Sequence, residues 1–157
     1  MPTSALQHEL RQRRPFQSTA HEAVVGLLRT ADVVRRHMTA LVEPHGITLQ
    51  QFNVLRILRG AGDEGLPTLE VADRMVEETP GVTRLLDRLE AKELVRRQRC
   101  PKDRRQHLCW ITPKGAAVLQ KIDAVSDRAL EDSLKGLRQK DRAALIRLLD
   151  ALRGAHQ

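Results

Sequence analysis

Aromatic residues are almost absent from this chain of 157 residues: Phe16, Phe52 and Trp110 are present and Tyr is missing. Binders of single-stranded nucleic acid stack bases on aromatic rings, so a platform of that kind is not expected here. Cysteine is scarce too. Cys100 and Cys109 are too few for a disulfide scaffold or a multi-cysteine zinc finger. No apolar run approaches the ~18 residues of a membrane span. The opening MPTSALQHELRQRR lacks the apolar centre of a signal peptide, so a cytoplasmic protein without a membrane partner is expected. The catalytic and nucleotide-binding signatures GxSxG, HExxH, GxxxxGK(S/T) and GxGxxG are missing, which excludes the enzymes that depend on them. His8, His21, His37, His45, His107 and His156 are scattered, with no pair at i, i+3 or i, i+4. Neither a catalytic site, nor a metal site, nor a cofactor is expected.

Positive charge is what the chain has, and it is concentrated. The net charge is +7, and between Arg84 and Arg105 nine basic residues (Arg84, Arg88, Lys92, Arg96, Arg97, Arg99, Lys102, Arg104, Arg105) face four acidic ones (Asp87, Glu90, Glu93, Asp103). A basic excess gathered on one motif is the electrostatic footprint of nucleic-acid binding, whereas an even spread would speak only of solubility. The cluster lies in TPGVTRLLDRLEAKELVRRQRCPKDRRQHLCWIT, residues 79 to 112. Val82, Leu85, Leu86 and Leu89 recur at i, i+3, i+4 and i+7, an apolar stripe that can anchor a helix to a core. Pro80, Gly81, Arg84, Asp87 and Arg88 occupy the other face. Thr79 followed by Pro80 predicts the helix start, with the Thr side chain as cap and Pro in the first turn. Pro80 and Gly81 leave the helix N-terminus open to a phosphate.

The rest of the chain frames this motif. Residues 1 to 17 read as a loose basic arm, with Arg11, Arg13 and Arg14 before Pro15. Apolar residues from Ala20 through Val24, Leu27, Leu28, Ala31, Val34 and Met38 to Leu41 follow helical spacing over about six turns. Thr48 to Gln51 forms a capping box that opens a helix with Phe52, Leu55 and Leu58 inward. A turn-rich loop, Gly60 to Pro67, precedes a short helix from Thr68 to Met75. That helix and the basic one make a helix-turn-helix. Val95 to Arg99 and His107 to Thr112 read as strands joined by Cys100 to Gln106, a wing. Thr112 and Pro113 start a helix carrying Val118, Ile122, Val125 and Ala129, and Leu145, Leu148, Leu149 and Leu152 mark a last one ending near Gly154. These outer helices have apolar stripes with little local surface to cover them, so a second subunit is the economical partner. The expected class is mainly α with a small β-hairpin wing. Residues 18–45 form one dimerisation helix, 46–112 the winged helix-turn-helix, and 113–157 further dimerisation helices.

This order of elements resembles the MarR family of winged-helix transcription regulators. The resemblance spans roughly residues 20 to 154 and is most specific in TPGVTRLLDRLEAKELV, in KDRR and in LCWITPKG. It implies a homodimeric repressor whose terminal helices interlock through Val24, Leu27, Leu28, Ala31, Val118, Ile122, Val125, Leu145, Leu148, Leu149 and Leu152. The two recognition helices would read a pseudo-palindromic duplex. By matching position, Thr79, Pro80, Gly81, Thr83, Arg84 and Arg88 face the major groove. Asp103 and Arg105 match the wing's Asp and its minor-groove Arg, with Arg104 between them, while Arg97, Arg99 and Lys102 supply phosphate contacts. The resemblance also implies release by a small anionic aromatic or phenolic ligand. Glu93 departs from the family's usual Gly, so the turn into the wing is expected to be strained or rebuilt.

Two alternatives accompany this reading. Cys100 and Cys109 flank the wing loop, so a thiol-oxidation-responsive regulator would pair them across the hairpin. The bland reading is a packing thiol at Cys109 and an incidental one at Cys100. Redox-sensing members of the family carry their cysteine near the N-terminal helix, and this chain has none there. The other alternative is an architectural protein that coats DNA with little sequence preference.

Overall fold

The computed structural model describes residues 4–155. Met1 to Thr3 of the expected arm, and His156, lie outside the described residues. The chain divides into two compact units, Met1–Ala40 and Leu41–Gln157.

In the first unit a short helix, α1 (Ala5–Glu9), is capped by the Ser4 hydroxyl, which accepts from the Gln7 N–H at 3.2 Å. The second, α2 (Thr19–Val42), opens where the Ser18 hydroxyl accepts from the His21 N–H, and Val42 at its end falls in the other unit. The sequence reading expects a loose arm over residues 1 to 17. Instead, Glu9 pairs with Arg29 at 2.7 Å, and Leu6 comes within 3.4 Å of where a Cβ on Gly26 would stand. A Cβ at position 26 would rest in ordinary van der Waals contact with Leu6 of α1.

The second unit is built around α3 (Leu49–Ala61), α4 (Thr68–Asp73), α5 (Val82–Ala91) and α6 (Pro113–Ser133). The capping box at the head of α3 is present in both directions: Gln51 N–H to the Thr48 hydroxyl, and Thr48 N–H to the Gln51 side chain. Phe52, Val54, Leu55 and Leu58 of α3 meet Val71 of α4, Val82, Leu86 and Leu89 of α5, and Leu119 and Ile122 of α6 in one buried core. Each fully buried leucine is worth about 1.5–3 kcal/mol of transfer free energy. That holds α5 by its apolar stripe and turns its polar face outward.

Three strands close the unit. β2 (Val95–Arg99) and β3 (His107–Ile111) form the predicted hairpin, and β1 (Leu66–Pro67) adds an antiparallel edge, in the order β1-β3-β2. The sequence places the two residues of β1 in the loop from Gly60 to Pro67, since a two-residue strand shows no alternation. The register pairs Val95 with Ile111, Arg97 with Cys109, Arg99 with His107, and Leu66 with Cys109. Gly65, at φ +71°, makes room for the Trp110 ring, 2.5 Å from a hypothetical Cβ, and the indole N–H donates to the Asp63 carbonyl at 3.0 Å. At the head of α6, Thr112 caps the Gly115 N–H, and Gly115 lies so close to the Leu94 carbonyl that no side chain fits. A turn leads to α7 (Gln139–Gly154), where Arg142 binds Glu131 and the carbonyls of Leu134 and Leu137. Among the described residues, no helix is long and apolar enough to cross a membrane, and no group of three or more His, Cys, Asp or Glu is placed to hold a metal ion.

Candidate nucleic-acid interface

The basic helix does not start where the sequence suggests. Thr79 is not its cap: its hydroxyl donates to the Glu77 carbonyl at 2.9 Å, and Pro80 sits in the preceding turn. Gly81 is the N-cap, at φ +89°, and its carbonyl accepts from Arg84 and Leu85. Only glycine takes that left-handed backbone freely, so the chain turns sharply into α5. The leading N–H groups of α5 lack helical acceptors by geometry, and the positive end of the helix lies beside the exposed Thr83 and Arg84. Arg88 is exposed one turn further along the same face.

The other end is rebuilt around Glu93. This residue stands at φ +60°, where the glycine of a C-terminal helix stop usually stands. Leu94 N–H reaches back to the Leu89 carbonyl and Glu93 N–H to that of Glu90, satisfying the last carbonyls of α5. A hydrogen bond from Lys114, with its charge, holds the Glu93 carboxyl below its ordinary pKa. The turn is therefore complete but carries a side chain in a glycine conformation.

In the wing, Arg99, Lys102, Asp103, Arg104 and Arg105 are all exposed. The Asp103 carboxylate accepts the Arg105 N–H at 2.9 Å and its carbonyl accepts the Gln106 N–H, which fixes the tip and aims the arginines. Arg97 departs from its expected role as a phosphate contact. It shares the inward face of β2 with buried Val95, its side chain is only 19% exposed, and it binds Glu90 (2.6 and 2.9 Å) and Asp87 (2.5 Å). Burial alone would lower its pKa, but the two carboxylates hold it above the ordinary value. Sequence reasoning missed both partners, although a period of two counted from Val95 places Arg97 inward. Arg96, on the opposite face, covers the Trp110 ring at 4.1 Å.

Between α4, α5 and the wing runs a groove of about 850 Å³, walled by Thr68, Asp73, Thr83, Arg105 and His107, with Glu90 and Arg97 along it. Cys109 lies beneath the sheet with its thiol 3.7 Å from the Thr68 hydroxyl, and burial pushes its pKa up. Cys100 does not face it. Cys109 pairs with Arg97, three register positions from Cys100, or about 10 Å along the strand. A disulfide needs Cα atoms within about 7 Å, so the hairpin as folded does not bring these thiols together.

The residues expected at a subunit interface divide. Val24, Leu27, Leu28 and Ala31 on α2, Val125 on α6 and Leu145, Leu148 and Leu152 on α7 are exposed; Val118 and Leu149 are half-buried. Ile122 is fully buried in its own chain's core and is removed from that set, because it shares the inward stripe of α6 with Leu119 and Ser126.

A family model described as MarR family matches residues 47–107, from the residue before the α3 capping box to the start of β3. The HTH-type transcriptional regulator MhqR of Bacillus subtilis is 33% identical over 105 residues, covering 67% of this chain and 70% of the relative. The chain belongs to the MarR family. Like other members it is a transcriptional regulator, not an enzyme. Among solved structures, a mutant MarR from E. coli complexed with operator DNA is similar to this MarR-family chain at 25% identity and a TM-score of 0.74, covering 95% of this chain and 99% of that one. A structure of Bordetella bronchiseptica BpsR, whose DNA binding is regulated by 6-hydroxynicotinic acid, is 27% identical with a TM-score of 0.68, covering 83% of this chain and 98% of that one.

Proposed function

We propose that this MarR-family protein is a homodimeric, sequence-specific repressor that binds a pseudo-palindromic DNA duplex and is released by a small anionic aromatic ligand. One observation carries the reading: α5 is pinned by its buried leucines while Thr83, Arg84 and Arg88 stand free beside a wing whose Lys102, Arg104 and Arg105 are also exposed. Arg84 and Arg88 supply base readout; Arg99 and Lys102 supply phosphate contacts; Arg105 enters the minor groove. A dimer is supported by the apolar side chains left in water on α2, α6 and α7, among them Leu28 at 65% and Ile146 at 62% exposure. The operator-bound E. coli MarR supports the DNA partner, and BpsR supports a hydroxylated pyridine carboxylate as the effector class.

The test is a gel shift with promoter DNA from upstream of the protein's own gene, against a scrambled duplex at fixed physiological salt. A specific affinity at least ~10³-fold above the scrambled one is expected, and a ratio near one would favour an architectural coat instead. Hydroxylated aromatic acids, screened by thermal shift, should raise the melting temperature and weaken operator binding together. A panel without effect on either would remove the ligand from the reading.

A further inference from the structure

The least expected feature of the interface is an acidic pair on its DNA-facing side. Thr83 and Asp87 stand four residues apart on α5 and Glu90 follows three later, so both carboxylates lie on the flank next to the readout face. Glu90 also lines the groove shared with Thr83 and the wing's Arg105. Two uncompensated carboxylates there would fall within a Debye length, about 8 Å at physiological salt, of any phosphate backbone entering the groove.

Arg97 meets both of them. Its Nη2 donates to Asp87 at 2.5 Å and to Glu90 at 2.6 Å, its Nε donates to Glu90 at 2.9 Å, and its backbone N–H reaches the other Glu90 oxygen at 3.2 Å. Resting on the DNA-binding reading above, we propose that Arg97 is a positioning residue: from β2 it holds both carboxylates and offsets one of their two negative charges, so that the groove between α5 and the wing admits a phosphate backbone. A planar guanidinium is the side chain suited to this, because its fork serves two carboxylates at once while a lysine would be a point charge. The same clamp ties the wing's first strand to the recognition helix, but masking is the role that DNA binding reads.

The experiment measures fluorescence anisotropy of a labelled duplex of about three helical turns, in operator and scrambled versions, across a salt series. Arg97→Gln unmasks both acids and is expected to weaken binding to both duplexes by roughly tenfold. The triple variant Asp87→Asn, Glu90→Gln, Arg97→Gln removes the acids along with the mask, and is expected to bind as tightly as wild type or tighter, with an unchanged salt slope. A triple variant as weak as the single one, with its slope reduced by about 0.9 for a lost phosphate contact, would overturn the proposal and make Arg97 a direct contact. An Arg97→Gln protein that binds like wild type would overturn it as well. Should the single variant fail to fold, the triple variant against wild type still decides. Failure of wild type to bind either duplex would instead sink the DNA-binding reading itself.

Discussion

At the scale of single residues, the interface is shaped by side chains whose neighbours reassign them. Glu93 is the clearest case: it occupies a left-handed turn, which costs roughly 1 kcal/mol for a residue with a Cβ. Its ion pair with Lys114 is exposed and returns little. Glu93→Gly is therefore expected to raise the melting temperature by about 2–4 °C and leave DNA affinity unchanged, by calorimetry and anisotropy, whereas Glu93→Ala keeps the strain and gains nothing. Cys109 behaves oppositely to a sensor thiol. Burial raises its pKa, so on alkaline titration the unfolded chain gives up this proton first. Stability from the neutral thiol is full below the ordinary thiol pKa and declines as pH rises past it, and Cys109→Ala should flatten the fall of melting temperature between about pH 8 and 10. In the native protein, alkylation followed by mass spectrometry should modify Cys100 first and Cys109 only after unfolding; equal rates would contradict its burial.

At the scale of elements, the signals most legible in the sequence were those in which cap, period and turn agree. Thr48 with Gln51 opens α3, Thr112 with Pro113 opens α6, and the two strands read on either side of the Cys100 to Gln106 loop are β2 and β3. Signals that conflict locally mislead: Thr79–Pro80 has the residues of a helix start, but Gly81 bends the chain first and delays α5 to Val82. The edge strand β1 was hidden because two residues carry no period, and Ile122 because α6 has apolar residues on two sides, of which only one meets water. Charge alone groups Arg97 with its basic neighbours, because it does not say which strand face a residue takes. The division of labour between α5 and the wing can be separated experimentally. Arg84→Ala should narrow the gap between operator and scrambled DNA by about 1–3 kcal/mol. Arg105→Ala should weaken both duplexes and lower the salt slope by about 0.9. Unchanged footprints and affinities in both variants would count against these assignments.

At the scale of the whole molecule, the proposed reading makes DNA recognition depend on self-association. On that reading one α5 would contact a few base pairs, and a specific site would need a second copy about 34–36 Å away, one helical turn along the duplex. The apolar side chains exposed on α2, α6 and α7 would supply surface for that pairing, and α7 has no residue buried by its own chain. Sedimentation of the protein with a labelled duplex from its own upstream region, at physiological salt, tests the pairing and the DNA contact together. Two chains, or a multiple of two, should travel with each labelled duplex, and a scrambled duplex should stay largely free. Protein that sediments as a monomer, or a label that stays free of protein on every duplex, would contradict a paired reader of double-stranded DNA.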